Sequence, residues 1–177
     1  AGVVRLLAGG GRGCKDGPAG DALFDQGGAY NVARSIQCDG AGNVYTAENG
    51  NSRVRRVFKD KDGKWMVDTV AGGGKRRLKD GESCPPLETD LGGNIAVVAA
   101  PDGTLTIGGQ WNGLFRVAPD RKAITKLGGW PPGSGGAPCL VMSDGDRLGN
   151  AYFIYRTSPG DGVVRVSADG KAEHIGG

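Results

Sequence analysis

Apolar residues arrive along this chain in bursts of three to five, each bounded by polar turn residues and glycine. Such bursts are too short for helices and suit strands. The clearest succession runs to Gly74. Ala33–Cys38 makes a first strand, and the turn Asp39-Gly40-Ala41-Gly42 follows it. Asn43–Thr46 is rich in β-formers and makes the second. Val54, Val57 and Phe58 carry the third, with Arg53, Arg55 and Arg56 between them. Asp62-Gly63 marks a hairpin, because both residues tolerate positive φ. Trp65–Val70 is the fourth strand, stopped by Ala71-Gly72-Gly73-Gly74. Short turns join the four strands, here a to d, into an antiparallel meander.

The meander recurs. Lys61-Asp62-Gly63-Lys64 is echoed by Pro119-Asp120-Arg121-Lys122 and Ala168-Asp169-Gly170-Lys171. Each is preceded by an Arg-Val pair: Arg56-Val57, Arg116-Val117 and Arg165-Val166. The a–b turn is expected at Asp39-Gly40, Asp102-Gly103 and Asp144-Gly145. A d strand with its glycine stop recurs at Val67–Gly74, Ile124–Gly129 and Ala172–Gly177, and Val3–Gly11 matches it at the start of the chain. The expected order is an orphan d strand at 3–8, then blades at about 33–74, 94–130 and 137–177. Four-stranded repeats of about 40 to 60 residues are blades of a β-propeller. The fold class is therefore all-β: four-stranded antiparallel propeller blades, about three in this chain, forming a single domain or half of one. A blade buries its two faces only against neighbours, so the ring must close.

Gly42–Val57 reads GNVYTAENGNSRVRRV and resembles the NHL repeat, whose pattern is roughly G-N-hydrophobic-Y-V-A-D-x-x-N-x-R-I-R-K-hydrophobic. Ala8–Gly17 and Ala71–Gly81, each an Ala-Gly-Gly-Gly…Asp-Gly segment, are similar to the linkers between NHL blades. The second and third units lack the Asn and first Arg of the motif, at Trp111-Asn112-Gly113-Leu114 and Pro159-Gly160-Asp161-Gly162. The resemblance implies a six-bladed ring of the NHL and SMP-30-like kind. Three blades then leave two readings: a fragment of a longer propeller, or two copies associating into one ring.

Composition narrows the function. Glycine reaches 35 of 177 residues without a G-X-Y period, as a fold of many turns requires. The net charge of +3 does not indicate a nucleic-acid surface. No run of about 18 apolar residues offers a membrane-spanning helix. Cys14, Cys38, Cys84 and Cys139 form no C-x-x-C pair, and His174 is the only histidine, which argues against a common zinc site. Four cysteines fit two disulfides and an extracellular or periplasmic setting; small buried thiols fit equally.

Long loops on a rigid scaffold are where function concentrates. The b–c loops and the long d–a crossovers, Gly11–Val32 and Gly74–Gly93, share one face of a propeller. That face offers Glu48, Asn49, Asn51, Gln110, Asn112 and Arg156 from b–c loops, and Asn31, Arg34 and Asn94 near the starts of a strands. Amides with few charges suit hydrogen bonding to a carbohydrate or peptide. The expectation is a non-catalytic binding or scaffolding module, with a protein or carbohydrate ligand and self-association as a route to ring closure. No cofactor is needed for that reading. The alternative comes from the resemblance: related propellers include lactone hydrolases that hold a divalent cation on the axis, and Glu48, Asn31 and Asn94 are the nearest oxygen donors, suited to Ca2+ or a similar ion. Lys75-Arg76-Arg77 with Lys79 is a basic cluster in the second crossover.

Overall fold

The computed structural model describes residues 2–27, 35–134, 139–157 and 160–176. Its regular structure is almost entirely antiparallel sheet. The first linker contains β1 (Gly11–Arg12), β2 (Gly17–Pro18) and β3 (Leu23–Phe24). Blade 1 follows as β4 (Ile36–Cys38), β5 (Val44–Glu48), β6 (Arg53–Lys59) and β7 (Trp65–Gly72). The second linker holds β8 (Ser83–Cys84) and a single 3-10 turn, Pro86–Glu88. Blade 2 comprises β9 (Ile95–Ala99), β10 (Leu105–Gly109), β11 (Gly113–Val117) and β12 (Ile124–Gly128). Blade 3 comprises β13 (Cys139–Gly145), β14 (Ala151–Arg156), β15 (Asp161–Val166) and β16 (Ala172–Gly176). Each blade is an up-and-down meander, and no described helix is long and apolar enough to cross a membrane.

One turn geometry makes the six a–b and c–d hairpins. In each, the N–H of the fourth turn residue donates to the carbonyl of the first. That fourth residue is Gly42, Gly63, Gly103, Arg121, Gly149 or Gly170, and all six have φ between +56° and +92°. The expected Asp144-Gly145 turn is thereby corrected. Those residues extend β13, where Gly145 pairs with Ala151, and the turn is Asp146–Asn150. The error lay in register: Asp39 and Asp146 open their turns, whereas Asp102 is the third residue of its own. A Cβ on Gly63 would meet nothing within 4 Å, so only the backbone conformation resists a side chain there. Gly63→Ala is expected to cost about 1 kcal/mol in urea unfolding.

The blades stack face to face. Tyr45, Ala47 and Val54 of blade 1 bury against Val97, Leu105, Ile107 and Phe115 of blade 2. Val98 and Leu114 on the other face of blade 2 bury against Leu140, Phe153 and Val164 of blade 3. The inner strands are laced together by hydroxyls: Val97 N–H donates to Ser35 Oγ at 2.9 Å, and Ser143 Oγ donates to Val97 O at 3.1 Å. With its inner edge capped by both neighbours, blade 2 sits as the middle of an arc.

The linkers do more than cross over. β2 adds to the outer edge of β7, and β8 to the outer edge of β12, so blades 1 and 2 each become five-stranded. Gly17 and Gly81 take φ of +125° and +80° at the approaches to these added strands. Val3–Ala8, expected as a strand, pairs with none among the described residues.

Candidate functional site

The motif around Glu48 resolves into a clip. Arg55 is wholly buried; its Nη1 donates to Glu48 Oε1 and to Leu23 O, both at 3.0 Å. Its Nη2 donates to Lys15 O at 2.8 Å and meets Asp16 Oδ1 at 2.7 Å, and the guanidinium lies 5.0 Å from the Phe24 ring centre. Asn51 Nδ2 donates to Glu48 Oε2 at 2.6 Å and to Gly13 O at 2.8 Å, and Arg53 reaches Cys14 Sγ at 3.1 Å. Residues 51, 53 and 55 thus hold the first linker against the front of blade 1. Burial pushes the Glu48 carboxyl above its usual range, against the opposing pull of Asn51 and Arg55. Each of its oxygens accepts one hydrogen bond, Oε1 from Arg55 and Oε2 from Asn51, and these tie Glu48 into the clip.

The other expected residues divide. Asn112 Nδ2 donates to Asp90 O at 2.9 Å and pins the second linker, as Asn51 pins the first. Arg156 is exposed and pairs with Asp161 at 3.5 Å. Asn31 and Arg34 lie outside the described residues. The basic cluster is largely neutralised within its own loop: Arg76 meets Glu82 at 2.6 Å and Arg77 meets Asp90 at 3.1 Å.

Asn49, Asn94 and Gln110 are brought together, and Cys139 joins them. Asn49 Oδ1 accepts from the Ile95 N–H at 2.7 Å, tying the b–c loop of blade 1 to the start of blade 2. Asn94 Nδ2 donates to Gln110 Oε1 at 3.0 Å and approaches Cys139 Sγ at 3.3 Å, where blade 3 begins. Asn94 has φ of +39°, a left-handed conformation that asparagine tolerates better than most residues. Two amide atoms here, Asn49 Nδ2 and Asn94 Oδ1, are buried with no hydrogen-bond partner among the described residues. A buried polar atom without a partner costs about 1–3 kcal/mol. The cluster therefore holds one unmatched donor and one unmatched acceptor, both uncharged and buried, at the junction of three blades. Cys139 was noticeable in the sequence only as a cysteine; its place at the start of an a strand was the signal that could have added it.

Of the two readings that the cysteines left open, disulfides and small buried thiols, the disulfides are not formed, while Cys84 is buried and Cys14 and Cys38 are exposed. Cys14 accepts from Arg53, Cys84 lies 3.1 Å from Thr89 Oγ1, and Cys139 faces Asn94. Pairing of cysteines thus gives no support to an oxidising compartment. Among the described residues no group of three or more His, Cys, Asp or Glu side chains gathers as a metal site.

These features define an all-β propeller-type protein with about three four-stranded blades in this chain. Neither a protein-family model nor a curated protein matches it. Among solved structures, puromycin hydrolase is similar over 81% of this chain and 20% of its own, at 15% sequence identity and a TM-score of 0.48. The chain spans about a fifth of the length of that protein.

Proposed function

We propose that the chain is a non-catalytic binding unit of an NHL-type β-propeller. It takes an uncharged polar group, a hydroxyl or amide of a carbohydrate or peptide, at Asn49, Asn94 and Gln110, beside Cys139. The observation that carries this reading is the buried pair of unmatched atoms, Asn49 Nδ2 and Asn94 Oδ1. One ligand group that both donates and accepts would satisfy the two together. The NHL assignment draws support from the roles of Asn51, Arg53 and Arg55. These motif positions all reach back to the glycine-rich linker, which accounts for motif and linker occurring side by side.

The test is thermal unfolding against a panel of neutral oligosaccharides and capped uncharged tripeptides. A ligand at about a hundred times its Kd adds about 2.7 kcal/mol, or several degrees in Tm for a chain of this size. At least one probe should raise Tm, and Asn94→Gly should abolish the rise. Glycine removes the amide yet keeps the left-handed backbone, so the variant should remain folded. If no probe raises Tm, or if Asn94→Gly responds as the parent does, the proposal fails.

A further inference from the structure

Two shallow hollows lie where β7, the two linkers and the c–d hairpin of blade 2 meet. The first, about 240 Å³, holds Cys14, Asp16 and Arg53. The second, about 330 Å³, holds Arg56, Asp68 and Arg121. Thr69 and Leu87 line both, so the hollows join there as one groove, and Leu87 is 55% exposed in the shared wall. The walls come from within the chain, not from the two outward faces of the arc. None of these residues belongs to the cluster of Asn49, Asn94 and Gln110.

Charge is unevenly matched in the groove. Its carboxylates are already engaged: Asp16 by Arg55 and Thr69, Asp68 by Arg56, and Asp120 by the Lys122 N–H of its own hairpin. Arg53, half-buried, donates to Cys14 Sγ and meets no carboxylate among the described residues. Arg121 donates to Tyr45 OH at 2.6 Å, and its Nε is buried without a partner among the described residues. Arg55, Arg56, Arg76 and Arg77, by contrast, each face an Asp or Glu. Arg121 also holds a left-handed φ of +56° at a position where the five other a–b and c–d turns use glycine. That conformation costs an L side chain energy. The corresponding hollow between blades 2 and 3 has Gly170 at this register and is lined by Leu127 and Trp130, with Lys171 its one charged residue among those described. Backbone strain kept in a single repeat, and charge missing from the equivalent hollow, mark the groove as a site.

We propose that this groove takes an extended acidic peptide, with one carboxylate on Arg53, a second on Arg121, and an apolar side chain between them over Leu87. Arg53 and Arg56 stand three positions apart on β6, about 10 Å along a strand, and Arg121 shares its hollow with Arg56. Four or five extended residues cover that distance. A carboxylate on each guanidinium supplies charge-assisted hydrogen bonds stronger than those to a thiol or a phenol. The inference does not rest on the ligand reading of the amide cluster.

Titration calorimetry of the intact chain with acetyl-Glu-Ser-Leu-Ser-Glu-amide tests the proposal. The peptide should bind with a Kd of about 1 mM or tighter, and its counterpart with Gln in place of both Glu should bind about tenfold more weakly or worse. Arg53→Gln and Arg121→Gly should each weaken the acidic peptide by about tenfold. Arg121→Gly gives the turn the residue that its equivalents carry, so Tm should hold while binding falls. An arginine present only to tie blade 2 to Tyr45 would do the reverse. Arg53→Gln gives up only the contact to Cys14, and it decides the question if Arg121→Gly folds poorly. Inorganic tripolyphosphate separates a peptide groove from a general anion site and should bind more weakly than the peptide. The proposal is overturned if the acidic peptide fails to bind at about 1 mM, if the Gln counterpart binds equally, if both substitutions are silent, or if tripolyphosphate binds as tightly as the peptide.

Discussion

Arg55→Met is expected to destabilise the protein by about 3–5 kcal/mol, measured by urea unfolding. Arg55 and Glu48 are both wholly buried, and removal of one partner leaves the other charge uncompensated. Asn51 remains as a donor to Glu48, but no cation replaces the guanidinium. The variant also loses the bonds to Lys15 O and Leu23 O, so the first linker should exchange its amide protons faster than the blades do. The pH dependence has a definite sign. Burial already raises the Glu48 carboxyl in the parent, and loss of Arg55 raises it further. Below the ordinary carboxylate range Glu48 is neutral in both proteins, and they should differ least. As pH rises through the parent's raised value, the variant's deficit should grow. Glu48→Gln added to Arg55→Met should recover part of the loss, since the amide keeps an acceptor for Asn51 without a charge. An equal deficit at pH 4 and pH 7 would argue against a charge origin.

Gly109→Ala should cost about 3 kcal/mol. Gly109 ends β10, and a Cβ there would fall on the Leu91 carbonyl oxygen. That obstacle is backbone, and Leu91 is itself wholly buried, so neither side can yield by changing rotamer. Gly109 also supplies the carbonyl that accepts from Trp130 Nε1 at 3.1 Å, so displacement would spread toward blade 3. The matching control is Gly129→Ala, where a Cβ meets nothing within 4 Å; it should stay within about 0.5 kcal/mol of the parent. Equal losses in the two variants would mean that chain flexibility, not the close approach of Leu91, sets the cost.

Gly109 and Glu48 occupy the same register in successive blades, and so do Phe115 and Arg55. The comparison shows how one meander accommodates two linkers. In blade 1 an ion pair clips the linker's carbonyls. In blade 2 the linker backbone lies directly on the strand, which leaves room for hydrogen alone. Neither solution was legible as such, because repeat matching records which residues recur and is silent on those that differ for a packing reason.

Local features of the chain were enough to determine the strands of its three blades, most of their hairpins and the fold class. Those depend on short-range chemistry: period-two burial, the tolerance of Asp and Gly for turns, and positive φ at the fourth turn residue. The Asp144-Gly145 turn was misplaced because Asp-Gly pairs recur at different registers: Asp39-Gly40 opens its turn, Asp102-Gly103 closes one, and Asp144-Gly145 ends β13 before its turn. Tertiary structure decided the rest. It turned the crossovers into edge strands and linker clips, and it engaged Glu48 with Arg55. It also gathered Asn49, Asn94, Gln110 and Cys139 from three blades into one cluster. Those contacts join residues as many as 46 positions apart, and no periodicity within a single repeat encodes which loop lies beside which strand.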